Sequence, residues 1–67
     1  MVGWQQRLIV ERDELADRVR RLERFMMEEA NLDKMSRKEA ALLIAQSYAM
    51  HQYLDILDIR LTYAKKD

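Results

Sequence analysis

Leucines at positions 8, 15 and 22 recur every seven residues, and Leu43, Met50 and Leu57 repeat the interval farther along the chain. Seven residues make about two helical turns, so each set draws a line along one face of a helix. A short polar break separates the two lines. Folding the chain at that break sets Leu22 opposite Leu43, Leu15 opposite Met50 and Leu8 opposite Leu57. The pattern predicts an all-α fold, an antiparallel two-helix hairpin of coiled-coil type whose seams meet in register.

The first helix is expected over residues 4–29. Trp4, Leu8, Leu15, Val19, Leu22, Phe25 and Met26 mark its apolar face. Its other faces are charged, with acid-before-base pairs at helical spacing in Glu14–Arg18, Asp17–Arg21 and Asp17–Arg20. Residues 30–35 read as a connector, carrying Asn31 and Asp33 as turn and cap residues. The second helix is expected over 37–64. Ser36-Arg37-Lys38-Glu39 spells a capping box at its start, in which hydroxyl and carboxylate each take a free backbone amide of the first turn. The tail Lys65-Lys66-Asp67 is expected to fray. The whole of 1–67 reads as a single domain.

Beside the seam of Leu43, Met50, Leu54, Leu57 and Leu61, the second helix carries another apolar line: Ala45, Ala49, Ile56, Ile59 and Tyr63. One partner helix cannot cover both. Either the core face is broad, or neighbouring protomers bury this helix on two sides. Length sharpens the choice. A 67-residue chain falls below the ~70–80 residues at which one core is enough, and such chains add disulfides, a metal or partner subunits. Cysteine is absent and His51 is the only histidine, so disulfides and thiolate metal sites are excluded. No cofactor or metal is expected, and a homo-oligomeric helical bundle is the expected remedy.

Twelve basic residues balance twelve acidic ones. Long nucleic acid is therefore a poor partner, because phosphate neutralisation calls for a basic excess. A small anionic ligand needs only a few arginines. No apolar run approaches the ~20 residues of a membrane span, and Met1–Gln6 does not read as a signal peptide, so a cytoplasmic protein without membrane contact is expected.

Several polar residues stand where a seam should be apolar. Gln46, Tyr53 and Arg60 recur every seven residues along the edge of the second seam, and Glu11 and Arg12 interrupt the first. Mirror pairing places Arg12 near Tyr53 and Arg7 near Asp58. These are either rim contacts, with arginine stems covering apolar surface, or a polar pocket with guanidinium forks for phosphate and aromatic faces for bases. Trp4 either caps the open end against Leu61 or offers a stacking platform beside Gln5 and Arg7. The run Arg18, Arg20, Arg21, Arg24 is interleaved with acids and reads as a solvated surface. Catalysis finds no support: no serine sits in a nucleophile elbow, and His51 has no evident orienting partner. The acids Glu11, Asp13, Glu14 and Asp17 lie among arginines and face no second cluster, so they do not read as a metal site.

The series Trp4-Gln5-Gln6-Arg7, Glu11, Leu15, Leu22, Phe25, Leu42-Leu43, Gln46, Ala49-Met50, Tyr53-Leu54, Ile56-Leu57 and Arg60 resembles a family of very short phage and prophage proteins typified by crAss-like phages. In size and hairpin pattern the chain is also distantly similar to the phage nucleotide sponges that counter CBASS and Thoeris immunity. That resemblance implies several hairpins trapping a cyclic dinucleotide, cyclic trinucleotide or cyclic ADP-ribose derivative between protomers. It gives Trp4 the role of the base-stacking aromatic near the start of the first helix. In that group a basic residue farther along holds a phosphate; here no lysine occupies the middle of helix one, and the resemblance does not say which arginine stands in its place. The expectation is thus a non-enzymatic ligand binder using Trp4, Arg7, Arg12, Gln46, Tyr53 and Arg60. The competing expectation is a phage-encoded module that docks onto a host defence protein through Ala49, Ile56 and Ile59, with a small structural helper as a third.

Overall fold

The computed structural model describes residues 3–66. Met1, Val2 and Asp67 lie outside the described residues, as do the side chains of Lys65 and Lys66, so the expectation for the tail falls outside them too. The described chain is all helical: α1 (Gly3–Met27), α2 (Glu29–Asp33) and α3 (Arg37–Lys66). Thirty residues at ~1.5 Å each give α3 a length of about 45 Å, which accounts for the 48 Å long dimension of the molecule.

The break between α1 and α3 is made without glycine or proline. Glu28 adopts an extended backbone, φ −84° and ψ 106°, and this ends α1. The freed carbonyl of Phe25 is taken by the Asn31 side-chain amide at 3.0 Å, and Arg24 stands in the last turn, where positive charge suits the helix dipole. Part of the expected connector is therefore helical: α2 is a single short helix rather than a loop. Ser36 then starts α3. Its hydroxyl accepts from the Glu39 amide at 3.1 Å and its carbonyl from the Ala40 amide at 3.0 Å. Among the described residues the reciprocal bond from the Ser36 amide to the Glu39 carboxylate is not formed.

α1 lies along α3 in the opposite direction. At one end the Gln5 side chain donates to the Ala64 carbonyl at 3.3 Å, and at the other Glu23 meets His51 at 3.3 Å. Between them Leu8, Leu15, Val19 and Leu57 form a buried cluster, with Met50, Leu54 and Leu61 packed against it. Phe25, expected on this face, is 40% exposed. Three residues beyond Leu22 it has rotated off the seam, and Met26 continues the line.

The register departs from strict mirror symmetry. Asp58, expected opposite Arg7, instead accepts from Arg12 Nε at 2.7 Å. Taken with Gln5–Ala64 and Glu23–His51, this displaces the pairing by about one turn toward the end of α3. Two apolar seams of equal period match nearly as well after a one-turn slide, so polar flanking contacts choose between registers.

Burial along α3 divides into two heptad seams. Leu43, Ser47, Met50, Leu54, Leu57, Leu61 and Ala64 are all at least partly buried, whereas Leu42, Ala45, Ala49, Gln52, Ile56, Ile59 and Tyr63 are all exposed. The second set lies roughly 140° round the helix, at ~100° per residue, where α1 does not reach.

Candidate functional site

The inner seam of α3 separates two flanks, and cross-helix contacts assign residues to each. On one flank Tyr53 donates its hydroxyl hydrogen bond to the Glu11 carboxylate. Gln46 and Arg60 lie seven residues either side of Tyr53 and so share its line. On α1, Trp4 precedes Glu11 by seven residues and Arg7 precedes it by four, which puts both on the flank of α1 that meets Tyr53. Between the cross-links Glu11–Tyr53 and Gln5–Ala64, Arg7 and Arg60 come level with each other. Both are exposed, and neither makes an ion pair among the described residues. Five of the six residues singled out from sequence are thus gathered on one side, with Gln46 farthest along toward α2, where its amide donates to Met50 Sδ at 3.8 Å.

Arg12 is the exception. It lies on the opposite flank, bound to Asp58 at 2.7 Å and to Asp13 at 2.9 Å. The hydrogen bond it donates to Asp58, with that to Asp13 behind it, holds the guanidinium above its ordinary range. Two carboxylates around one guanidinium leave local negative charge, so a phosphate arriving there would have to displace an acid. The cleft at this point, lined by Ile9, Leu61 and Thr62 beside the charged trio, is poorly suited to an anion. Arg7 and Arg60 have no such competition, although Glu11 and Glu14 line the cleft of Arg7 with Gln6 and Val10.

The aromatic surfaces are accessible. Trp4 is 45% exposed and Tyr53 43% exposed. The Glu11 hydrogen bond fixes the Tyr53 hydroxyl while its ring remains open on one side. Trp4 is thus partly covered, with the rest of its indole open to solvent. An exposed indole and phenol beside two guanidinium groups can stack a planar base and grip a phosphate.

A second cleft, of about 300 Å³, opens near α2 between Glu23, Met26, Ile44, Ser47, Tyr48 and His51. Sequence reasoning gave His51 no partner; the structure gives it Glu23. The signal was weak because acid and histidine sit on different helices and pair only in the displaced register. Ser47 shares the cleft with this pair, but among the described residues no hydrogen bond joins it to His51. All these groups project from mid-helix turns whose amides are consumed by the helix itself, so no backbone donors stand ready for an oxyanion.

Comparison with known families decides the relationship. A family model described as Sequestin matches residues 3–63, nearly the full chain. The chain belongs to the Sequestin family. The matched span takes in all of α1, α3 as far as Tyr63, and every residue of the exposed flank. No curated protein and no solved structure matches this Sequestin chain. No helix among the described residues is long and apolar enough to cross a membrane.

Proposed function

We propose that the chain, as a helical hairpin, self-associates and sequesters a small signalling nucleotide without cleaving it. The ligand class is a cyclic dinucleotide, cyclic trinucleotide or cyclic ADP-ribose derivative, and the setting is a phage protein in the cytoplasm of its bacterial host. The observation that carries this reading is the Sequestin match over residues 3–63, a name that speaks of holding a molecule rather than converting it. The exposed flank supplies fitting chemistry: Trp4 and Tyr53 stack on bases, Arg7 and Arg60 hold phosphate, and Gln46 hydrogen-bonds a base edge or ribose. Each copy presents these groups on an open surface, so a second copy is needed to enclose a ligand. Function is then affinity multiplied by copy number.

The experiment is a thermal-shift screen with cyclic di- and trinucleotides and cyclic ADP-ribose isomers, followed by heat denaturation and chromatography of the released ligand. A ligand at 100 times its Kd adds ~2.7 kcal/mol of stability, an easily read shift. The bound molecule should return chemically intact. Recovery of a hydrolysed product, or the absence of any shift across the panel, overturns the reading. In the latter case the exposed Ile56 and Ile59, 54% and 55% accessible, favour docking onto a host defence protein.

A further inference from the structure

We infer that the outer seam of α3 is the self-association surface, and that it pairs antiparallel with the same seam of a second copy about a two-fold axis near Gln52. Four observations support this. The seven exposed positions Leu42, Ala45, Ala49, Gln52, Ile56, Ile59 and Tyr63 keep a strict three-four heptad spacing for 22 residues, the repeat that lets one helix follow another. None of the seven is charged, in a chain whose residues are 36% charged. The large residues Ile56, Ile59 and Tyr63 are each more than half exposed, as a seam awaiting its partner would be.

The fourth observation selects the orientation. After Leu42 the first half of the seam is small, with Ala45 and Ala49, and Ile56, Ile59 and Tyr63 occupy the second half. An antiparallel copy about that axis sets Ile56 over Ala49 and Ile59 over Ala45, while Tyr63 meets Leu42 at each end of the seam. A parallel copy would set alanine on alanine, leaving voids. Gln52 lies near the axis, where a single polar seam residue can fix register at little cost by bonding across the interface. Because the surface is complementary to itself, the assembly closes on a two-fold rather than growing into a filament.

This interface also builds the site. Gln46, Tyr53 and Arg60 border the outer seam, so the antiparallel pair brings the line of one copy alongside the reversed line of the other. Arg60 of each chain approaches the Gln46 end of its neighbour, and the two Tyr53 rings flank the axis. The groove so formed has matching halves, suited to a ligand with two nucleotide units. That last step rests on the proposed sequestering function; the helix pairing does not.

Sedimentation equilibrium of the full chain from micromolar to near-millimolar concentration tests the pairing. The expected mass is twice the 8.1 kDa of the chain, or an even multiple of it. Ile56→Glu should reduce it to one chain while far-ultraviolet circular dichroism keeps its helical signal. The absence of cysteine permits a second measurement that does not depend on that variant folding. Ala45→Cys and Ile59→Cys chains, mixed and treated with a short bis-maleimide, should cross-link to each other and not to themselves. A monomer throughout, an odd-numbered assembly, a mass unchanged by Ile56→Glu in a folded chain, or self-cross-linking of both variants overturns the inference. Ligand binding by a monomer would sink the interface and leave sequestration standing. A two-fold dimer that binds nothing in the panel would do the reverse.

Discussion

Leu57 has no accessible surface, and Leu8, Leu15 and Val19 enclose it with only 3–8% of their own surface exposed. Truncation to alanine there leaves a cavity that two thin helices cannot easily collapse, so Leu57→Ala should cost ~2–5 kcal/mol in urea unfolding. At the exposed flank the arginines should separate by what already holds them. Arg7→Ala and Arg60→Ala are each expected to weaken binding of the ligand found by screening at least about tenfold, the loss of a charge-assisted contact. Arg12→Ala should change it by less than about threefold, because Asp58 and Asp13 already occupy that guanidinium. Isothermal titration of the three variants decides, and a larger loss at Arg12 than at Arg60 would reverse the assignment of flanks. The Arg12 pair brings no pH dependence near neutrality from the arginine side. Its guanidinium is raised above an already high range, so its contribution is complete below that range and fades only as pH rises through it.

At the scale of the element, α3 depends on a start signal the sequence states openly. Ser36→Ala removes the acceptor for the Glu39 amide and should lower stability by ~1 kcal/mol, read as a shift in the urea midpoint, whereas Ser36→Asp should retain most of it. Both long helices were legible because apolar spacing is a strong signal over 25 or 30 residues. α2 was not, since five residues make little more than one turn and leave no period to detect. The displaced register was equally hidden. Leu8, Leu15 and Leu22 fit the α3 seam almost as well one turn along, and only Arg12–Asp58 and Gln5–Ala64 break the tie. The flank holding Trp4, Arg7, Tyr53 and Arg60 was readable as a set because heptad spacing survives a slide. Arg12 was misplaced because a flank, unlike a period, depends on which acid lies opposite.

Across the whole molecule, the relation between core and surface sets how stability responds to concentration. The protein is 48 Å long and about 15 Å across, and its buried aliphatic cluster is confined to one contact line between α1 and α3. A single copy exposes Leu42, Ile56, Ile59 and Tyr63 to water. If association covers them only in the folded form, mass action links folding to protein concentration. The midpoint of thermal unfolding should then climb steadily over a hundredfold dilution series read in reverse, from dilute to concentrated. For a dimer at concentrations well above its dissociation constant, each tenfold rise adds about 1.4 kcal/mol per mole of dimer, because the concentration term enters once for each pair. Ile56→Glu should flatten that dependence without abolishing the transition, since Leu57 and its neighbours lie on the other seam. Leu57→Ala should do the opposite, lowering the midpoint at every concentration while the slope persists. The two seams of α3 are thus separable by measurement: one folds the chain, and the other couples it to its copy. A midpoint independent of concentration in the unaltered chain would mean that the outer seam stays wet, and the exposed flank would then have to bind its ligand from one side alone.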